Sequence, residues 1–178
     1  MSQGNPVEIM EYDPRWARVF ADLHGVIGAA LGDLALAIEH VGSTAVVGLA
    51  AKPIVDVDVV IARGSLAGAV KALAGLGYVH QGDLGIAGRE AFKRLGEDVP
   101  REGTGRTWME HHLYVCEPDS LELRRHLAFR NYLRGNPEQA RAYGQLKRKL
   151  AGRFRFDRNA YVEGKSEFIG AVLREILA

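Results

Sequence analysis

Cysteine is almost absent from the chain. There is one, Cys116, in 178 residues. A lone cysteine forms no intramolecular disulfide, so oxidative folding is excluded and a reducing compartment is the natural setting. Cys116 has no CxxC partner and follows an apolar run, which reads as a buried thiol rather than a nucleophile. Charge of one sign is also missing: 23 Lys and Arg stand against 22 Asp and Glu, a net charge of +1. At whole-chain level that balance gives no generic affinity for nucleic acid. No apolar run approaches the roughly 18 residues a membrane span needs. The start, Met1-Ser-Gln-Gly-Asn-Pro, has neither a basic nor an apolar leader segment. No secretory signal and no membrane partner are expected, and the expected location is cytoplasmic. What is there is ordinary for a globular protein, with 47% hydrophobic and 25% charged residues. A domain of this length buries roughly 70% of its unfolded surface and needs no staple.

Periodicity predicts short strands and helices in alternation. Residues 7–12 alternate mildly and suggest an edge strand or an arm. Asp13-Pro14 reads as an N-cap followed by proline at the first helical position. Trp16, Val19, Phe20, Leu23, Val26, Ile27 and Ala30 then follow at helical spacing up to Gly32. Residues 34–41 predict a strand. Gly42-Ser43-Thr44 breaks it, with Ser43 or Thr44 capping a short helix over 45–51. Residues 53–61 are the clearest strand, rich in β-branched residues and opened by Pro53. Ser65 caps a helix to residue 76. Strands are expected from Tyr78, over 90–95 and over 107–116, with a mobile polar loop over 96–106. Helices are expected over 120–134, 137–153 and 161–177. The fold class is α+β, a small mixed sheet with a crossover helix and a helical C-terminal part. Residues 1–117 form the expected core and 118–178 the helical part packed on it as one unit.

Charge is unevenly distributed along the chain. Residues 121–158 hold eleven basic residues and three acidic ones. That surplus is either a set of solvated helix faces or an electropositive wall facing an anionic ligand such as a polyphosphate or RNA. Few aromatics are interleaved, so a base-stacking platform is weakly indicated and nucleic acid is not the favoured partner.

Asp56 and Asp58 lie two apart on the apolar strand. Period two places both carboxylates on one face. Carboxylates that close repel each other, and a divalent cation resolves the conflict. Mg²⁺ takes oxygen ligands, commonly one or two carboxylates plus substrate phosphates. The bland alternative is a strand that buries its valines and solvates its Asp face. Upstream, a strand runs into Gly42-Ser43-Thr44 and an expected helix. Glycine permits close backbone approach to a ligand, and a helix start offers N–H groups to phosphate. The Ser43 hydroxyl adds a further contact. Twelve residues separate Ser43 from Asp56.

A glycine-serine turn, a helix and then an acid-x-acid strand resembles the nucleotidyltransferase superfamily with the DNA polymerase β-like fold. The flanking words narrow the resemblance. His40-Val-Gly-Ser-Thr-Ala-Val-Val-Gly-Leu-Ala-Ala-Lys-Pro-Ile-Val-Asp56 is similar to the core signature of the GrpB family. Tyr12-Asp-Pro-Arg-Trp16, His112-Leu-Tyr-Val115 and Phe129-Arg-Asn-Tyr-Leu-Arg134 match it too. So do Asn136-Pro137, Tyr143, Leu146-Lys147, Tyr161 and Lys165. The resemblance covers nearly the whole chain, in order. A similar domain is fused behind dephospho-CoA kinase in some bacteria.

The resemblance implies a nucleotidyltransferase-like sheet that binds Mg²⁺ (or Mn²⁺) and a nucleoside triphosphate and passes a nucleotidyl group to an unknown acceptor. Gly42 and Ser43 would hold the β- and γ-phosphates, with Thr44 and His112 in the same set. Asp56 and Asp58 would hold metal. A third carboxylate usually completes such sites. Glu110, in phase with His112 and Tyr114, is the candidate third ligand or base, against a solvent-exposed strand-end acid. Lys52, Arg130, Lys147 and Lys165 are candidate phosphate contacts, against solvated helix lysines and arginines. Tyr114, Asn131 and Asn136 replace a His, an Asp and a His common in relatives, which puts acid–base chemistry at those positions in doubt. Two further readings stand beside the enzyme: a non-catalytic accessory or binding module, and an RNA-interacting protein using the basic helices. His40 either touches a ligand or makes a structural hydrogen bond. His111 and His112 point to opposite faces and cannot chelate one metal together, and no His or Cys spacing suggests zinc.

Overall fold

Alternation in residues 55–61 decides the architecture. Val55, Val57, Val59 and Ile61 point to one side of a sheet, and Asp56, Asp58 and Val60 to the other. The computed structural model describes residues 6–177. In chain order the elements are α1 (Arg15–Leu31), β1 (Ala35–Val41), β2 (Val55–Ile61), α2 (Leu66–Gly75), β3 (Tyr78–His80), β4 (Arg89–Arg94), β5 (His111–Cys116), α3 (Leu121–Gly135), α4 (Pro137–Arg153) and α5 (Arg158–Ile176). The strands form one five-stranded mixed sheet in the order β1-β2-β5-β4-β3. Only β2 and β5 run parallel, joined by a crossover through α2 and the β3–β4 pair. The fold is α+β, as the periodicity predicts.

The valine face packs under α1 and α2. Leu23, Ile27 and Leu73 have no exposed surface and meet Val55, Val57 and Val59 there, with Trp16 and Tyr78 at the margins. The Asp face lies under the C-terminal helices. Val60 and Cys116 pack on Leu123 of α3, and Val46 and Leu49 pack on Leu133, Ala140 and Tyr143. Cys116 is the buried thiol the sequence implies, and burial pushes it up to about 12, so it is protonated and unreactive at neutral pH. His111 also has a structural role. Its Nδ1–H donates to the Met109 carbonyl (2.9 Å), so Nε2 accepts from the Tyr78 hydroxyl (2.6 Å).

Several expected boundaries shift for identifiable reasons. The helix over 45–51 does not form. Ser43–Ala45 makes a single 3₁₀ turn, after which Val46 is extended and Gly48 has φ +80°. Two consecutive valines and a glycine carry poor helix propensity, and Leu49 is instead drawn into the α3–α4 core. Residues 7–12 give one bridge, Met10 to Ala51, rather than a strand. β1 starts at Ala35 because residues 32–34 form a 3₁₀ turn, and β2 starts at Val55. β5 starts at His111, not at residue 107. Ser65 sits at the N-cap of α2 without a side-chain cap bond, whereas Ser120 accepts from Leu123 N (3.3 Å) at α3. α5 starts at Arg158 because Asp157 accepts from Ala160 N (3.0 Å). The loop over 96–106 is irregular but pinned. Val99 is fully buried, and Arg101 N donates to Leu76 O (2.8 Å).

No helix of the described residues is long and apolar enough to cross a membrane. The sheet-to-α1 packing sets the stability. Leu23→Ala should cost about 2–5 kcal/mol in urea unfolding, while Val47→Ala, 79% exposed, should stay within about 0.5 kcal/mol.

Candidate functional site

The two carboxylates of β2 share the face that α3 covers, and each meets a histidine. Asp56 Oδ1 accepts from His112 Nδ1 (2.8 Å), its partner across the parallel β2–β5 pair. Asp58 has no exposed surface. Its Oδ2 accepts from His126 Nδ1 (2.7 Å), one helix away on α3. The other nitrogen of that ring, Nε2, lies 3.3 Å from Glu122 Oε1. An imidazole with a carboxylate at both nitrogens donates from both, so His126 is an imidazolium. Burial opposes that charge, but the hydrogen bonds to Asp58 and Glu122 outweigh it and raise His126 to about 9. Tyr114 stands between the two histidines, with Arg89 over its ring at 4.2 Å. Glu39 faces Asp58 across the β1–β2 pair and is held by Arg130 (2.7 Å).

A second cluster approaches Asp56 from the turn after β1. Gly42 has φ +71°, and a Cβ there would overlap the Asp56 carboxylate. Only glycine brings the backbone this close. The next residue, Ser43, accepts from Lys147 Nζ (2.8 Å) on α4. Lys147 is 2% exposed. Burial, together with the cationic Lys165 and Arg148, pushes it down to about 7. Lys165 on α5 is lowered to about 8, chiefly by burial and then by Lys52. Lys52 is lowered for the same first reason. Lys52 and Lys165 share the Tyr161 ring, at 5.6 and 4.6 Å. Three ammonium groups are therefore crowded beside one carboxylate, an arrangement suited to an anionic ligand.

A pocket of about 250 Å³ joins the two clusters. Gly42, Ser43, Asp56, His126, Tyr143 and Lys165 are among its lining residues. A larger open pocket of about 560 Å³ has His112 and Tyr114 in its lining.

Of the residues singled out from sequence, Gly42, Ser43, Asp56, Asp58, His112, Lys147 and Lys165 come together here, with Lys52 at the margin. Glu110 does not line this pocket. It is exposed just before β5 and lines the larger pocket, while its backbone carbonyl accepts from Val55 N (3.1 Å). Thr44 is buried and bonded to His40 Nε2 (2.9 Å). His40 stacks on Phe20 and is held down to about 4 by burial, so it is a neutral structural histidine. The expected helix start after Ser43 is absent, so the positive charge near the turn comes from the lysines rather than from a helix end. Arg130 and Arg134 are engaged within the fold, Arg134 by the Ala45 carbonyl, so part of the basic surplus faces inward. His126, Glu122 and Glu39 belong to this cluster, though no sequence motif singles them out. Glu122 and His126 form an i, i+4 pair readable from spacing, and Glu39 is found only once β1 is paired with β2.

Among the described residues, no group of three or more His, Cys, Asp and Glu side chains is arranged to hold a metal ion. The two carboxylates still suit one hard cation. Each histidine fixes one oxygen, and Asp58 Oδ1 is buried with no hydrogen-bond partner. Asp56 and Asp58 would offer two oxygens, leaving phosphate and water to complete the shell.

The His126 pair should be visible in stability against pH. Its folded value of about 9 lies above the ordinary 6.5, so its contribution is complete below 6.5 and is lost as pH rises through about 9. Thermal melts should fall across that window for the wild type, and His126→Gln should remove that part of the slope.

A family model described as GrpB protein matches residues 6–175. The chain is 39% identical over 173 residues to a UPF0157 protein of Pseudomonas aeruginosa, covering 97% of this chain and 68% of that one. It is 34% identical over 164 residues to the UPF0157 protein YqkA of Bacillus subtilis, but spans only 45% of that relative's length. Glutamate-rich protein GrpB of Alkalihalophilus pseudofirmus is 30% identical over 174 residues, with 96% of this chain and 95% of that one covered. The crystal structure of conserved protein GrpB from Enterococcus faecalis matches with a TM-score of 0.80 at 32% sequence identity, over 96% of this chain and 97% of that one. Family model, relatives and solved structure agree from end to end of the described fold, and the chain belongs to the GrpB family.

Proposed function

We propose that the pocket between β2 and the C-terminal helices binds a nucleoside triphosphate together with Mg²⁺ and passes a nucleotidyl group to an acceptor. The observation that carries this reading is the Gly42–Ser43 turn pressed against Asp56 and backed by Lys147 and Lys165. A polyanion satisfies the three crowded lysines, which otherwise repel one another. Ser43 and the glycine backbone seat the phosphates, and Lys165 balances their charge. Asp56 and Asp58 would hold Mg²⁺, which neutralises the charge on the leaving oxygen. The larger pocket beside His112 and Tyr114, with Glu110 on its rim, has room for the acceptor. Attack by the acceptor oxygen on the α-phosphorus forms the new P–O bond and releases pyrophosphate.

A second reading is a ligand-binding accessory module without turnover. It is favoured by the His126 imidazolium, which already neutralises Asp58, and by Glu110, which is exposed and lines the larger pocket rather than the one beside Asp56. Thermal shift with the four nucleoside triphosphates, with and without Mg²⁺ or Mn²⁺, tests the binding. Stabilisation that needs the metal and vanishes in Asp56→Asn/Asp58→Asn is expected. Absence of any shift in the wild type removes the nucleotide reading. Pyrophosphate release then separates the enzyme from the module.

A further inference from the structure

Ser43 and Lys147 have a geometry that phosphate seating does not require. Ser43 lines the pocket, and Lys147 stands behind it, nearly without exposed surface, with Nζ 2.8 Å from Oγ. The ammonium also lies over the Tyr143 ring at 4.6 Å, which fixes its approach. A lysine meant only to attract a polyanion gains by facing it, as Lys165 does from the pocket wall. One buried behind a hydroxyl is placed to take that hydroxyl's proton. Activated nucleophiles are built this way: nucleophile and base within hydrogen-bond reach, the base oriented by a third group. The charges around Lys147 are Lys165, Arg148, Lys52 and Asp56, with the cations in the majority. That surplus, added to burial, makes the neutral amine accessible near pH 7. An ordinary surface lysine would be fully protonated there.

We propose that Ser43, with Lys147 as its general base, is itself the first acceptor of a phosphorus group from a phosphoanhydride. Resting on the nucleotide reading, this names the acceptor that reading leaves open. Ser43 Oγ forms a bond to phosphorus and its proton passes to Lys147 Nζ. The anhydride P–O bond breaks, and its electrons leave with the departing phosphate. Attack at the α-phosphorus leaves a nucleotidyl-serine and pyrophosphate. Attack at the γ-phosphorus leaves phosphoserine and a nucleoside diphosphate. The Gly42 backbone, against Asp56, brings the hydroxyl beside the carboxylate that would hold the cation balancing the phosphate charge.

Two probes test it on the full-length protein. The first is each nucleoside triphosphate with Mg²⁺, read by intact-mass and peptide mass spectrometry; the adduct mass distinguishes phosphoryl from nucleotidyl transfer. The second is a fluorophosphonate, which reports an activated serine without any nucleotide. Both should modify the peptide carrying Ser43 in the wild type and leave Ser43→Ala unmodified. Lys147→Met, checked for folding by its melting curve, should slow both reactions roughly 100-fold or more. Lys147→Arg, which keeps the charge but cannot act as base, should be as slow; rescue by arginine would make Lys147 a phosphate contact and overturn the proposal. Nucleotide binding without an adduct on Ser43 also overturns it and leaves the proposed function standing. Fluorophosphonate labelling at Ser43 with no nucleotide binding supports the nucleophile–base pair and removes the nucleotide reading.

Discussion

A carboxylate with no exposed surface in the middle of a sheet must be answered by an opposite charge, and the C-terminal half of this protein is arranged around that answer. Asp58 is reached by the His126 imidazolium, and that ring is presented by α3. Leaving Asp58 buried and unpaired would cost more than the pair returns, so the pair acts as a positional constraint more than as net stabilisation. α3 is therefore fixed over β2, and the fixed helix carries Arg130 to Glu39 and Arg134 to the Ala45 carbonyl. The turn that holds Gly42 and Ser43 is clamped from the same helix.

The opposite problem arises a few residues away. Around Asp56 the cations outnumber the anions, and burial deepens the imbalance. Charge is thus largely paired beneath α3, where His126 meets Asp58, and unpaired beside Asp56, where the lysines gather. Sites that do chemistry commonly keep such unsettled groups, because ligand binding is what settles them.

Much of this was legible beforehand because it depends on period and on short words. The two-residue spacing of Asp56 and Asp58 gives their common face, and the phase of His112 puts it on one face with Tyr114, while its place beside Asp56 comes from the parallel register. The three C-terminal helices followed from their caps and periodicity. What resisted reading was non-local. Glu39 meets Asp58 only through an antiparallel register, and His126 reaches Asp58 from 68 residues away. The absent helix after Ser43 is a case of tertiary packing overriding a local cap signal, since Leu49 is worth more in the α3–α4 core than in a short helix. Glu110 lies one residue before β5 and is exposed, so its phase alone does not say which of its two readings, ligand or strand-end acid, applies.

The seam over Asp56 and Asp58 differs in kind from the one beneath α1 and α2. Below the sheet the contacts are hydrocarbon; above it, at the site, many are ionic or carbonyl-directed. Exposing apolar surface raises heat capacity and exposing polar surface lowers it. Undocking the upper layer at the site therefore changes heat capacity less, per unit area, than undocking α1. Salt then acts on the exposed pairs at the rim of that seam more than on the buried ones. The two faces of the sheet thus differ in how their packing responds to heat, and the pocket beside Asp56 lies along the more polar one.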